Sequence, residues 1–232
     1  MIISEQVAFV TGANRGFGRH LTLELLSRGA KVYGGARNPE TINIPGVIPV
    51  KLDITNTQEV EAAVILAKDV TLLINNAGSA TGASLLDDEV EKIHLEFDTH
   101  FFGTLSMVRA FAPIIEKNGG GSILNVLSAL SWFSSGTVGA YSAAKAAEWA
   151  LTNDLRLNLY PHNIRVSGLH VGFMDTDMTT SLEVPKASPA DIAKIAINGI
   201  ESGSFEIIAD DNSRMIQGGL AGGVPALYPH LS

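Results

Sequence analysis

Val7-Ala8-Phe9-Val10-Thr11-Gly12-Ala13-Asn14-Arg15-Gly16-Phe17-Gly18 is the stretch on which the fold turns. Val7 to Val10 form a short apolar run of β-formers without alternation, the mark of a strand buried on both faces. A glycine-rich turn follows, and Leu21, Leu23, Leu25 and Leu26 then fall in a helical segment that ends at Gly29. The order is strand, loop, helix. Glycine is needed in such a loop because a Cβ would block the turn, an incoming anion or the packing of the helix. Backbone N–H groups and the positive end of the helix dipole converge there on a phosphate. The spacing is G-x-x-x-G-x-G rather than G-x-G-x-x-G, and three glycines alone also suit a plain βα turn. Position directly behind the first strand favours a dinucleotide site made of Gly12, Asn14, Arg15, Gly16, Phe17 and Gly18.

Outward from this unit the same rhythm continues. Val32-Tyr33 opens a second strand, Val47 to Leu52 a third, Val70 to Ile74 a fourth, Ile123 to Leu127 a fifth, Ile164 to Val171 a sixth, and Phe205 to Ala209 a short last one. Val60, Ala63, Val64 and Ala67 recur at helical spacing, and a long helical stretch from Asp87 to Lys117 is stopped by Gly119-Gly120-Gly121. Ala140 to Tyr160 reads as a helix ended by Pro161. Ser188-Pro189-Ala190-Asp191 supplies an N-cap Ser, a first-turn Pro and an acid at N3, announcing a late helix that runs to Ser202. The alternation predicts an α/β fold: a Rossmann-like doubly wound parallel sheet of about seven strands with right-handed crossovers and helices on both faces. Ligands in such a sheet bind beyond the carboxyl ends of the strands, near the switch point. Residues 1–232 read as a single domain without repeat or linker, with a short substrate loop near 176–188.

The bulk numbers narrow the function. Hydrophobic residues make up 46% of the chain against 17% charged, enough for a core without staples. There is no cysteine, which excludes disulfides and thiolate metal sites, and His20, His94, His100, His162, His170 and His230 show no ligand spacing, so no metal is expected. Apolar runs fall short of the ~20 residues that span a bilayer. Met1-Ile2-Ile3-Ser4-Glu5 lacks the basic and apolar segments of a signal peptide, and the expectation is a cytoplasmic protein without membrane attachment. The formal charge of −8 disfavours nucleic acid as a partner, so any anion site must be local.

One local anion site has the charge for a phosphorylated ribose. A free ribose 2′-hydroxyl usually meets an acid at the end of the second strand, whereas a 2′-phosphate needs a cation there. Here that end reads Gly34-Gly35-Ala36-Arg37, and Arg15 adds a second cation from the glycine loop; both point to NADP(H). Asp53, at the end of strand three, is a candidate acceptor for the adenine amino group, or else a turn acid. Asn75-Asn76-Ala77-Gly78 closes strand four with small residues, so that Asn75, Ala77 and Gly78 let backbone approach a ribose; one asparagine has the alternative task of tying strands together.

Tyr141 and Lys145 lie four apart at the start of a helix and share a face, and Ser128 stands at the end of strand five. That set fits ketone reduction. A carbonyl that accepts hydride becomes an alkoxide, which needs a proton and donors aimed at its charge. Tyr141 can give the proton, Lys145 as a nearby cation favours the phenolate that remains, and Ser128 can hold the oxygen. No side-chain nucleophile is required, because the cofactor carries the electrons.

Thr11 to Gly18, Asp53, Asn75 to Gly78, Ser128, Tyr141-x-x-x-Lys145 and Gly172 to Thr176 together resemble the short-chain dehydrogenase/reductase family, over nearly the whole chain. The resemblance implies a seven-stranded Rossmann sheet, Tyr141 as acid/base, Lys145 on the nicotinamide ribose, Ser128 on the substrate oxygen, Thr176 at the carboxamide, and a homodimer or homotetramer built on the helices after strands four and five. Two departures stand out. The family usually has Asn in the long helix as part of a proton relay, where this chain has His100, and it has Pro-Gly where this chain has Val171-Gly172. The relay here is then either carried by the backbone carbonyl of His100 or altered. Trp132, Phe133, Phe173 and Met174 are candidate walls for an apolar or aryl ketone, or else loop aromatics packed on the core or a partner subunit. The expectation is an NADPH-dependent carbonyl reductase, or ketoreductase, acting on a small-molecule ketone, aldehyde or alcohol. A non-catalytic dinucleotide-binding sensor of the same fold is the alternative, although such proteins usually lack the Tyr or the Lys.

Overall fold

Seven parallel strands make one sheet in the computed structural model, which describes residues 1–231. They are β1 Val7–Thr11, β2 Lys31–Ala36, β3 Val47–Lys51, β4 Leu72–Asn75, β5 Gly121–Val126, β6 Ile164–His170 and β7 Glu206–Ile208, in the order β3-β2-β1-β4-β5-β6-β7. The helices are α1 Gly16–Ser27, α2 Thr57–Leu66, α3 Val90–Phe97, α4 Thr104–Lys117, α5 Gly139–Leu159, α6 Pro189–Ser202, α7 Asp211–Gly219 and α8 Gly223–Leu227. The order reverses between β1 and β4, so the carboxyl ends of these two strands part there and open the crevice that the alternation predicts.

Each central strand is apolar throughout because successive side chains serve opposite layers. Ala8 and Val10, Leu72 and Ile74, and Leu124 and Val126 pack with Leu21 and Leu25 of α1 and Ile192, Ala196 and Ile200 of α6. Phe9, Leu73 and Ile123 face the other way, onto Val60 of α2, Met107 and Phe111 of α4, and Leu151 and Leu155 of α5. Phe9 and Phe111 meet with ring centroids 4.9 Å apart.

Local chemistry explains the boundaries. Asn56 caps α2 by accepting from the N–H groups of Gln58 and Glu59. Ser188 caps α6 on Asp191, as its sequence announces, and α6 ends at Gly203 with φ +74°, a conformation glycine adopts without strain. Two elements differ from expectation. The stretch Asp87 to Lys117 is not one helix: α3 begins only at Val90, and Asp98–Gly103 form a π turn before α4, an inserted residue for which the apolar pattern carries no signal. Beyond β7 the chain forms α7 and α8, two short helices of nine and five residues that the reading of the sequence does not include.

Candidate active site

The glycine loop lies at the carboxyl end of β1. Gly12 and Gly16 have positive φ, and a Cβ on Gly18 would fall 2.1 Å from the Gly12 carbonyl oxygen, so all three positions exclude a side chain on backbone grounds. Arg15 is the N-cap of α1 but makes no side-chain capping bond, which leaves the first-turn N–H groups of α1 to an outside acceptor. The loop is braced from β4: the N–H groups of Asn76 and Ala77 both donate to Thr11 Oγ1 at 2.9 Å, and Asn76 Nδ2 donates to the Thr11 carbonyl at 2.9 Å. Phe17 buries its ring in the core, so it has only its backbone to offer a ligand.

Around this cradle the other predicted cofactor residues take distinct positions. Arg37 is exposed at the end of β2, and Arg15 makes an exposed ion pair with Asp177 at 3.7 Å. Asn14 donates to Thr41 Oγ1. Asp53 Oδ1 accepts from the N–H and hydroxyl of Thr55, which makes it a turn acid with that oxygen. Asn75 is buried and donates to Asn125 Oδ1 on β5, so this asparagine ties strands together. Thr176 caps the turn Asp177–Thr179, and its Cβ lies 3.8 Å from where a Cβ on Gly16 would be, which brings the loop after β6 over the glycine turn. Gly172 N–H donates to the Asp210 carboxylate, the group that also caps α7. The open donors, the close-packed glycines and the two cations fit a dinucleotide carrying an extra phosphate.

Ser128, Tyr141 and Lys145 converge at the carboxyl end of β5. Ser128 is the N-cap of the turn Ala129–Ser131, accepts from Leu130 N–H and is 7% exposed. Tyr141 and Lys145 follow each other on α5, with Lys145 Nζ 5.9 Å from the Tyr141 ring centroid. Lys145 is buried and donates to the Val126 carbonyl at 2.7 Å and to Glu148 Oε2 at 2.6 Å. Burial alone would depress the Lys145 amine, but the Glu148 carboxylate and the phenol beside it outweigh that and raise it, so the ammonium is held. Burial raises the Tyr141 phenol above its ordinary value; Lys145 and the Ser128 hydrogen bond pull it down, while the Glu148 and Glu96 carboxylates push it up.

The sequence reading did not find Glu96 or Glu148. Both are buried, and with His100 they form a continuous polar array. His100 Nε2 lies 3.3 Å from Glu96 Oε2 and 3.0 Å from the Ser79 carbonyl oxygen, its Nδ1 lies 3.9 Å from Glu148 Oε2, and its ring meets Tyr141 edge-on at 5.2 Å between centroids. Glu96 also accepts from Ser79 Oγ and Thr81 N–H; these bonds and His100 overcome the cost of burial and hold its carboxyl near a pKa of about 2. Thr104 Oγ1 donates to Glu148 Oε1. A signal existed for Glu148: it falls on the stripe of Ala140, Ala144, Leu151 and Leu155 that α5 turns inward. Glu96 had none, since it is the one buried residue of α3.

The aromatic residues divide. Trp132 stacks on buried His170 at 3.6 Å and meets Trp149 edge-on, while His170 Nδ1 lies 3.2 Å from the Ser128 carbonyl oxygen. Phe133 stacks on Tyr228, whose hydroxyl accepts from Ser134 N–H, so the chain after α8 closes on this loop. Met174 packs on the core, and Phe173 is 42% exposed. A bridge between Met174 and Ala187 pins both ends of the loop, whose Met178, Leu182 and Val184 are exposed.

Comparison with known proteins places the fold in a family. A family model described as short chain dehydrogenase matches residues 6–186. Among curated proteins the chain is 33% identical over 184 residues to a 3-ketodihydrosphingosine reductase of Bacteroides thetaiotaomicron, covering 77% of this chain and 68% of that one. It is 30% identical over 234 residues to an uncharacterized oxidoreductase of Bacillus subtilis, covering 90% and 83%. Among solved structures, a short chain dehydrogenase from Burkholderia cenocepacia in complex with NADP superposes with a TM-score of 0.95 at 39% identity, over 100% of this chain and 99% of that one.

Proposed function

The chain belongs to the short chain dehydrogenase family, and on that premise we propose that it is an NADPH-dependent carbonyl reductase with Tyr141 as general acid. The observation that carries this reading is the convergence of Ser128, Tyr141 and the buried ammonium of Lys145 at the carboxyl end of β5. Residues of the loop from Gly12 to Gly18, with Arg15 and Arg37 on the extra phosphate and Thr176 nearby, would hold NADP(H), which supplies the hydride when bound. The Ser128 hydroxyl donates to the substrate oxygen and fixes it beside Tyr141. As negative charge builds on that oxygen, the phenol of Tyr141 transfers its proton there, and the Lys145 ammonium stabilises the phenolate left behind.

Support for NADP over NAD comes from cations at both expected positions and from the NADP bound in the similar Burkholderia protein. We assign Phe173, Phe133 on Tyr228, Trp132 and Met174 as the walls of the substrate site; the exposure of Phe173 and the stacking of Phe133 on Tyr228 support this, and such walls suit an apolar ketone or aldehyde. Exposed Leu95, Phe102 and Leu157, on α3, the π turn and α5, support a homodimer or homotetramer. A single domain in the cytoplasm completes the reading.

The test follows NADPH consumption with a panel of ketones, wild type beside Tyr141→Phe. The variant is expected to lose on the order of a hundredfold or more in kcat; full activity would remove Tyr141 as the acid.

A further inference from the structure

Lys145 is not a lone cation. Its Nζ is fixed between the Val126 carbonyl and Glu148 Oε2, and Glu148 is fixed in turn by Thr104 on its other oxygen. Behind Glu148 stand His100 and then Glu96, whose own partners, Ser79 and Thr81, belong to the loop after β4. Three elements, α3, the π turn and α5, therefore turn ionisable side chains into one buried space beside Tyr141. Burying two carboxylates beside one ammonium is costly, and the cost is offset by the donors the fold supplies: Ser79 and Thr81 to Glu96, Thr104 and Lys145 to Glu148. Its geometry makes room for the arrangement at Gly78, where a Cβ would come within 2.8 Å of His100 Cε1.

We propose that Glu148, backed by His100 and Glu96, is a positioning residue that anchors Lys145 and offsets its charge, so that Tyr141 keeps its proton until the substrate oxygen takes it. The inference rests on the reading of Tyr141 as the proton donor. The groups that face Tyr141 are Ser128 from the end of β5, His100 from the π turn, Glu96 from α3, and Lys145 and Glu148 from its own helix. An unopposed ammonium favours phenolate, and a phenolate cannot protonate a carbonyl oxygen. Removing the negative charge of Glu148 therefore shifts the loss of reductase activity to lower pH.

Two readouts test this on the full-length protein. The ultraviolet absorbance of phenolate, followed as pH rises without cofactor, isolates Tyr141 when each protein is compared with the same protein carrying Tyr141→Phe. The pH profile of ketone reduction with NADPH gives the second. Glu148→Gln is expected to lower the Tyr141 titration midpoint by about 1 unit and to move the alkaline limb of the profile with it. Glu148→Asp restores both toward wild type, and Glu96→Gln gives a smaller downward move. An unmoved or raised midpoint in Glu148→Gln, or an Asp variant that behaves like the Gln variant, overturns the proposal. If Glu148→Gln does not fold, Glu96→Gln decides alone, and an unmoved midpoint there is the overturning result. Full activity in Tyr141→Phe would instead defeat the acid assignment, while the absorbance titration would still decide whether Glu148 offsets Lys145.

Discussion

Arg37 ends β2 in solvent, where a guanidinium gains little from the protein and is available to a phosphate. If Arg37 meets the 2′-phosphate as proposed, Arg37→Asp is expected to raise the KM for NADPH at least about tenfold and to change that for NADH far less, because only NADPH carries a phosphate for that charge-assisted bond. Steady-state kinetics with both cofactors measures the ratio, and equal effects would sink the NADP assignment. Gly78 is a different case. Its role in the sequence reading was to let backbone approach a ribose, yet in the fold it also clears space for His100. Gly78→Ala forces the new methyl against a ring held by Glu96, so a stability loss of about 1–3 kcal/mol is expected in chemical denaturation. Ser128, Tyr141 and Lys145 were legible because their spacing and strand-end placement are both written along the chain. Glu96 and Glu148 were not, because a lone acid on a helix looks solvated until the neighbouring element covers it.

Among the elements, α5 and α6 follow directly from caps, breakers and periodicity, and the π turn does not. It turns His100 inward between Glu96 and Glu148, so a single inserted residue in the helical path decides what faces Tyr141. Of the two helices after β7 that the sequence reading lacks, α7 has a function in the fold through its cap. Asp210 accepts from Ser213 N–H at the start of α7 and from Gly172 N–H in the loop after β6. The carboxylate thus holds the backbone N–H of Gly172 in the loop after β6. Asp210→Ala is expected to cost about 1 kcal/mol of stability through the lost cap and to raise the KM for the cofactor more than it lowers kcat. Thermal unfolding and steady-state kinetics check the two parts; an unchanged KM would separate α7 from the loop.

For the whole molecule, the buried array links stability to pH. Glu96 titrates near 2 in the fold against an ordinary carboxyl near 4.5. A depressed carboxyl contributes stability that is fully present above its unfolded pKa and is lost as pH falls through its folded one, so the contribution fades between about pH 5 and 2. Its size is about 3 kcal/mol, and Glu206, held down by His170 and Arg156 against the effect of burial, adds in the same sense. Urea unfolding from pH 7 to 3 should show a steeper fall for wild type than for Glu96→Gln, and parallel curves would contradict the linkage. The sequence by itself determined the parallel sheet, the glycine turn behind β1 and the placing of Ser128, Tyr141 and Lys145 at strand and helix ends, because strand apolarity, turn glycines and helical spacing act over a few residues. Only the tertiary structure decided the company that Lys145 keeps. Burial and charge pairing depend on which helix faces cover one another, and residues 96, 100 and 148 meet only when α3, the π turn and α5 pack together.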